Sequence, residues 1–195
     1  DFKWEIKPGH RDDMWVEQID TPENRAFATR NGMDFQQVLD GRDHFQEFLR
    51  GFSPDAARKF IANAPGALAS HDWWRDHPKF SPWFTFKQEA VEWSVKSSYN
   101  GVKKHLPDMQ VGNSSRLPFL EPLTGHNTKR KQQYVDFQQP KQYWWSGGVA
   151  GFRGTIVNWV DTLVDWNDGL DADLASELFG SMFDYPMPSD YPVSA

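Results

Sequence analysis

A chain of 195 residues and 22.6 kDa is the size of one ordinary domain, and 38% hydrophobic residues with only 25% charged is too little charge for a disordered polymer. The 21 Lys and Arg against 27 Asp and Glu leave a formal charge of −6, which argues against general electrostatic binding to nucleic acid or to an anionic membrane, so no nucleic-acid partner is expected. The absence of Cys excludes disulfides, thiolate zinc sites, iron–sulfur clusters and cysteine nucleophiles.

Thr21-Pro22 is the first helix start, because a hydroxyl caps the free N–H groups and Pro loses nothing at the first helical position; Asn31-Gly32 closes that helix. Asp34 then caps a helix in which Phe35, Val38, Leu39, Phe45, Phe48, Leu49 and Phe52 recur at three, four and seven residue steps, giving one apolar stripe. Ser53-Pro54 opens a third helix that stops before Pro65-Gly66, and Ser81-Pro82 opens a longer one ended by Asn100-Gly101.

Residues 103–142 hold Pro107, Pro118, Pro122 and Pro140 and a Gln-rich run, which reads as a long irregular connection with one short element near Tyr134 to Phe137. A fifth helix carries Val149, Phe152, Ile156, Trp159, Leu163 and Trp166 on one face, with Thr155, Asn158, Asp161, Thr162 and Asp165 on another. Asn167 to Gly169 ends it, and Asp171 caps a last short helix with Leu174, Leu178 and Phe179. After Asp184 three prolines fall within the seven residues 186–192, so 184–195 is expected as an extended tail. The fold expected is therefore mostly α: five to six short-to-medium helices in a single domain over 1–183, with an irregular segment at 103–142 and the Pro/Tyr-rich tail.

Charge is uneven along this chain. Residues 1–100 carry 13 basic and 16 acidic side chains, 101–145 carry 7 and 3, and 146–195 carry 1 and 8. The plain reading is that the basic middle and the acidic end face each other or water. The chain opens at Asp1 without an initiator Met, which suggests a processed or truncated chain and is compatible with an organelle or with secretion; the compartment stays open.

Tyr143-Trp144-Trp145 resembles an interfacial aromatic belt, and Gly147 with Gly151 fits a small-xxx-small pattern. Arg153, Asn158 and Asp161 decide against a lone membrane span, since Arg or Asp near a bilayer centre costs about 2.5–3.5 kcal/mol each. A core helix explains the same residues, and a helix lying at an interface or against another protein remains compatible with them.

His71-Asp72-Trp73-Trp74-Arg75-Asp76-His77 is the densest polar and aromatic cluster, yet on a helix the two His stand about 240° apart and do not converge on one ion. A salt-bridged turn pinned by its two Trp explains it. Asp40, Asp43, His44 and Glu47 lie opposite the Phe stripe and read as a solvated acidic face. Asp165 to Asp173 imitates a calcium loop, but with Gly169 at the sixth position Val164 falls where the first Asp belongs; a helix end and an Asp cap account for these residues. No Walker loop, Gly-x-Gly-x-x-Gly, Gly-x-Ser-x-Gly or His-Glu-x-x-His occurs. No catalytic residue, metal ligand or cofactor is assigned, and the balance is against an enzyme.

The 10 Trp are the unusual feature, and several come in adjacent pairs. Neighbouring residues on a helix point about 100° apart, so one ring can enter the core while the other meets a partner. The first expectation is a non-catalytic interaction subunit of a larger multiprotein assembly, associated with a membrane surface through the basic stretch before Tyr143. Its contacts to other protein subunits would run through Trp73, Trp74, Tyr143, Trp144, Trp145, Gly147, Gly151, Tyr185 and Tyr191. The second is a carbohydrate-active or carbohydrate-binding protein with Trp platforms beside carboxylates such as Asp72 and Asp76. The third is a helical ligand-binding domain with an aromatic cavity.

Overall fold

The computed structural model describes residues 19–115, 117–140 and 152–187. These form a mostly helical fold with nine α-helices among the described residues: α1 (Pro22–Arg30), α2 (Phe35–Leu49), α3 (Pro54–Asn63), α4 (His71–Arg75), α5 (Ser81–His105), α6 (Glu121–Thr124), α7 (Thr128–Lys131), α8 (Phe152–Trp166) and α9 (Ala172–Phe183). Two-residue strands β1 (Gly112–Asn113) and β2 (Phe137–Gln138) pair in parallel, Gly112 against Phe137 and Asn113 against Gln138.

Side-chain caps start four helices where the sequence expects them. Thr21 accepts from Asn24 N–H at 3.2 Å, Asp34 from Gln36 N–H at 2.9 Å, Ser53 from Ala56 N–H at 3.2 Å and Asp171 from Leu174 N–H at 2.8 Å. Each such cap is worth about 1 kcal/mol, because it satisfies a donor that no helical carbonyl can reach.

The expected five to six helices are too few. The additional ones, α4, α6 and α7, have five, four and four residues, about one turn each and too short to show a 3.6-residue period. α5 also overruns its expected stop at Asn100-Gly101 and continues to His105. Lys103 and Lys104 put positive charge at the negative end of the helix dipole, and Lys103 Nζ bonds the Pro107 and Met109 carbonyls at 3.3 and 2.7 Å. Its N-terminus differs too: Ser81 lies inside the helix and Phe80 holds the cap position without a side-chain bond. α2 stops at Leu49, so Phe52 leaves the helix but remains buried.

The apolar stripe of α2 lies across the first half of α5, where Trp83, Phe84 and Phe86 are buried. Phe45 meets Phe84 edge-on at 5.2 Å, and Phe48 touches Phe52, Phe60 and Phe80. α9 packs against both α3 and α8, with Trp159, Phe179 and Phe183 in mutual contact. Of the residues on the polar face of α8, Thr155 and Thr162 are buried, and the Thr162 hydroxyl donates to the Asn158 carbonyl at 2.6 Å.

Asn167 stitches the two halves of this core together. Its Oδ1 accepts from Phe52 N–H at 2.8 Å, and its Nδ2 donates to the carbonyls of Leu49 and Leu163 at 3.0 and 2.9 Å. The end of α2 is thereby fixed to the end of α8. Gly169, at φ +80°, reverses the chain toward the Asp171 cap, so this segment is occupied by structural bonding, and the described residues hold no group of three or more His, Cys, Asp or Glu placed for a metal. No helix among the described residues is long and apolar enough to cross a membrane.

Candidate functional site

The second half of α5 runs past the aromatic core, and its residue types change there. Trp83, Phe84 and Lys87 give way on the same helical face to Ala90, Val91, Ser94, Val95 and Ser98. Small side chains leave space that the segment around β1 does not fill. The result is a half-open groove of about 490 Å³, walled by Val91 and Val95 on the helix and by Val111, Asn113 and Val135 opposite, with His126 also lining it.

Ion pairs hold that opposite wall in position. Arg130 reaches Glu89 at 2.9 Å and Glu92 at 2.5 Å, fixing α7 to α5. Lys103 meets Asp136 at 2.9 Å, and Asp136 also accepts from Val111 N–H at 2.8 Å. The Lys103 bond, followed by the Val111 bond, holds the Asp136 carboxyl below the usual carboxylate range.

Behind the groove lies a buried polar unit from α5, α6 and α7. Lys87, Glu121, Thr124, His126 and Lys131 are all buried, and Ser115 lies buried as well. Lys87 Nζ donates to the Leu123 carbonyl at 2.7 Å and sits 4.4 Å from the Trp83 ring centre. The Glu121 carboxylate accepts from Thr128 twice, from the backbone N–H at 3.0 Å and from the hydroxyl. Lys131 Nζ donates to His126 Nδ1 at 2.5 Å. An imidazole that accepts at Nδ1 is neutral and carries its proton on Nε2. Burial pushes the Lys131 ammonium down to about 8, against an opposing pull from Glu121.

Gly125 makes this arrangement sterically feasible. It adopts φ +76°, and a Cβ there would stand 2.6 Å from the Lys87 carbonyl oxygen, so α5 and the α6–α7 turn touch backbone to backbone.

Of the residues selected from the sequence, the described ones, Trp73, Trp74 and Tyr185, do not line this groove. Trp74 is buried and stacks on Phe84 at 5.2 Å, while Trp73 is half-buried, with His77 over its ring at 4.1 Å and Phe48 and Phe80 beside it. Arg75 bridges Asp72 at 2.8 Å on the outside of the same turn. His77 lies beyond α4; the His71 imidazole is pushed down by burial, with Glu121 and then Asp72 opposing. Tyr185 folds back onto the core, its N–H bonded to the Gly180 carbonyl at 2.9 Å and its ring against Phe119 and Phe152. Tyr143, Trp144, Trp145, Gly147, Gly151 and Tyr191 lie outside the described residues.

Among the described residues, five large apolar side chains are exposed: Trp93 (57%), Leu106, Met109, Phe137 and Val164. The first four belong to the projecting half of α5, the turn after it and β2. Phe137 lies over Gly112, where a Cβ would stand 2.2 Å from the ring, so bare backbone at Gly112 seats the aromatic lip of the groove. Sequence reasoning missed this region. Its signals were present, in the stripe Ala90-Ser94-Ser98 and in a lone Trp93 on a helix whose core face had already been supplied.

No family model, no curated protein and no solved structure matches this chain.

Proposed function

We propose that this protein is a non-catalytic interaction subunit of a larger assembly, contacting its neighbours through the projecting half of α5 and the β1–β2 segment. The observation that carries this reading is the exposure of Trp93, Leu106, Met109 and Phe137, on α5, the turn after it and β2, while thirty of the described apolar residues are drawn into a single core. Large aromatic and aliphatic side chains left exposed are usual where a partner covers them. Trp, Tyr and Phe at such positions supply much of the binding free energy of protein interfaces.

The pairing of a rigid support with an exposed surface also supports it. Arg130 and Lys103 fix the segment to α5 at two points, so the surface is preorganised and little ordering entropy opposes docking. The Trp73–Trp74 pair, by contrast, is engaged with Phe48, Phe80, Phe84 and His77, which leaves it poorly placed as a sugar platform.

The test uses the double variant Trp93→Ser, Phe137→Ser in the full chain. Both side chains are at least half or nearly half exposed, so the variant folds, as circular dichroism will show. Expressed in the native source, it is expected to elute free of the complexes that hold the wild type. Retention of both variant and wild type in the same complex would sink the proposed surface.

A further inference from the structure

The charge asymmetry of the sequence persists on the surface of the fold. Lys103 and Arg130 pair with Asp136, Glu89 and Glu92, on α5 and beside β2 rather than on α8 or α9. Lys96, Lys104 and Lys129 are exposed and carry no ion pair among the described residues, with Asp108 opposing them. At about 100° per residue, Trp93, Lys96 and Lys104 fall within about 80° of one another around α5, so the large exposed ring and two ammonium groups share one side of the helix. The other end of the chain is the reverse: residues 152–187 carry seven acidic side chains and Arg153 as their sole basic one. Asp161 and Val164 stand about one turn apart on α8, and Asp168 follows just past its end. Val164 is 36% exposed, and neither Asp161 nor Asp168 has an ion pair among the described residues. Burial pushes the Asp161 carboxyl up, the direction of an acid that no cation holds down.

We propose that a second copy of this chain covers the α5 surface, the Trp93–Lys96–Lys104 side of α5 docking on the Asp161–Val164–Asp168 side of α8 in the next copy. This inference rests on the interaction reading above and names the partner. Basic meets acidic across the contact, and each face brings an exposed apolar side chain, Trp93 on one and Val164 on the other. The same chain thus supplies both complementary surfaces. α5 packs chiefly on α2, α4, α6 and α7 and α8 on α9, so the two faces lie on different elements. Each copy therefore offers one face of each kind, and the contact repeats head to tail instead of closing on itself as a two-fold pair. Exposed ion pairs are individually weak; their part here is to choose and orient the partner, and salt screens them.

The experiment is sedimentation velocity of the isolated full chain over a concentration series, in about 0.05 M and about 0.5 M NaCl. At low salt the mass is expected to rise with concentration past that of a dimer, and at high salt the association is expected to weaken at least about tenfold. Two variants each remove one face: Trp93→Ser, Lys104→Ser on α5, and Val164→Ser, Asp168→Ser on α8, all at exposed positions. Each alone is expected to be monomeric with an unchanged circular dichroism spectrum. Mixed in equal amounts they retain one intact face apiece, so they are expected to stop at a one-to-one pair of twice 22.6 kDa. Should either variant misfold, the salt series on the wild type still decides. A wild type that stays monomeric throughout the low-salt series, a mass indifferent to salt, or association of either folded variant to the wild-type extent would each overturn the proposal. An isolated chain that is monomeric, with Trp93→Ser, Phe137→Ser still lost from the native complex, would leave the α5 surface standing with another protein as its partner; retention of that variant would remove the surface as well.

Discussion

Raising the pH is expected to stabilise this protein through one side chain. Lys131 is 1% exposed, and burial brings its ammonium from an ordinary 10.5 down to about 8. Below pH 8 both the folded and the unfolded chain hold this proton, and the fold bears the full cost of burying a charge. Between pH 8 and 10.5 the folded chain releases the proton while the unfolded chain keeps it, so stability rises with pH, and above 10.5 the gain is complete. From pH 7 to pH 10 the two values give a gain of about 2.5 kcal/mol, at 1.36 kcal/mol per pKa unit. Other Lys and Tyr residues titrate over the same range, so the quantity to follow is the difference between wild type and Lys131→Met. Urea unfolding followed by Trp fluorescence at pH 7, 8, 9 and 10 measures it. Whatever its starting value, that difference is expected to move toward the wild type by about 2.5 kcal/mol across the series. A difference flat to within about 0.5 kcal/mol would show that Lys131 is solvated or fully paired, and the argument for an undercompensated cation would fall with it.

Three further outcomes follow from the packing. Asn167→Ala removes three hydrogen bonds and strands the Phe52 N–H and Leu49 carbonyl in the core, so urea denaturation should show a loss of about 2–4 kcal/mol. Gly125→Ala places a methyl against the Lys87 carbonyl and strains a positive φ; a melting curve should register at least about 2 kcal/mol of destabilisation. Trp93→Ser, at a largely exposed position with Phe27 as its ring neighbour, should change stability by no more than about 1 kcal/mol while lowering retention in the native complex.

Helix existence was the most legible feature of the sequence, because caps and periodicity are local. Thr21, Asp34, Ser53 and Asp171 each act as the cap that their spacing implies. The stop at Asn100-Gly101 misled for an equally physical reason: Lys103 reaches forward to the Pro107 and Met109 carbonyls and across to Asp136, and such distant partners leave no local mark. Single-turn helices such as Thr128–Lys131 depend on a cap and an ion pair to another element, so periodicity cannot reveal them. The candidate site was the least legible part. Trp composition drew attention to Trp73 and Trp74, which the chain packs against its own core, whereas the groove arises from an absence of bulk at Ala90, Ser94 and Ser98 opposite a segment 13 to 45 residues away in sequence. The buried Lys131 was equally hidden, since a Lys in a basic run reads as a solvated residue until the fold encloses it.

The interaction reading is tested most directly by size-exclusion chromatography of a gentle native-source extract, with the isolated chain run beside it and the protein detected through a tag. The account predicts elution in a stoichiometric complex well above 22.6 kDa from the source, and self-association or poor recovery of the isolated chain as Trp93, Leu106, Met109 and Phe137 seek cover. A well-behaved monomer in both samples, with no co-eluting protein, would contradict it.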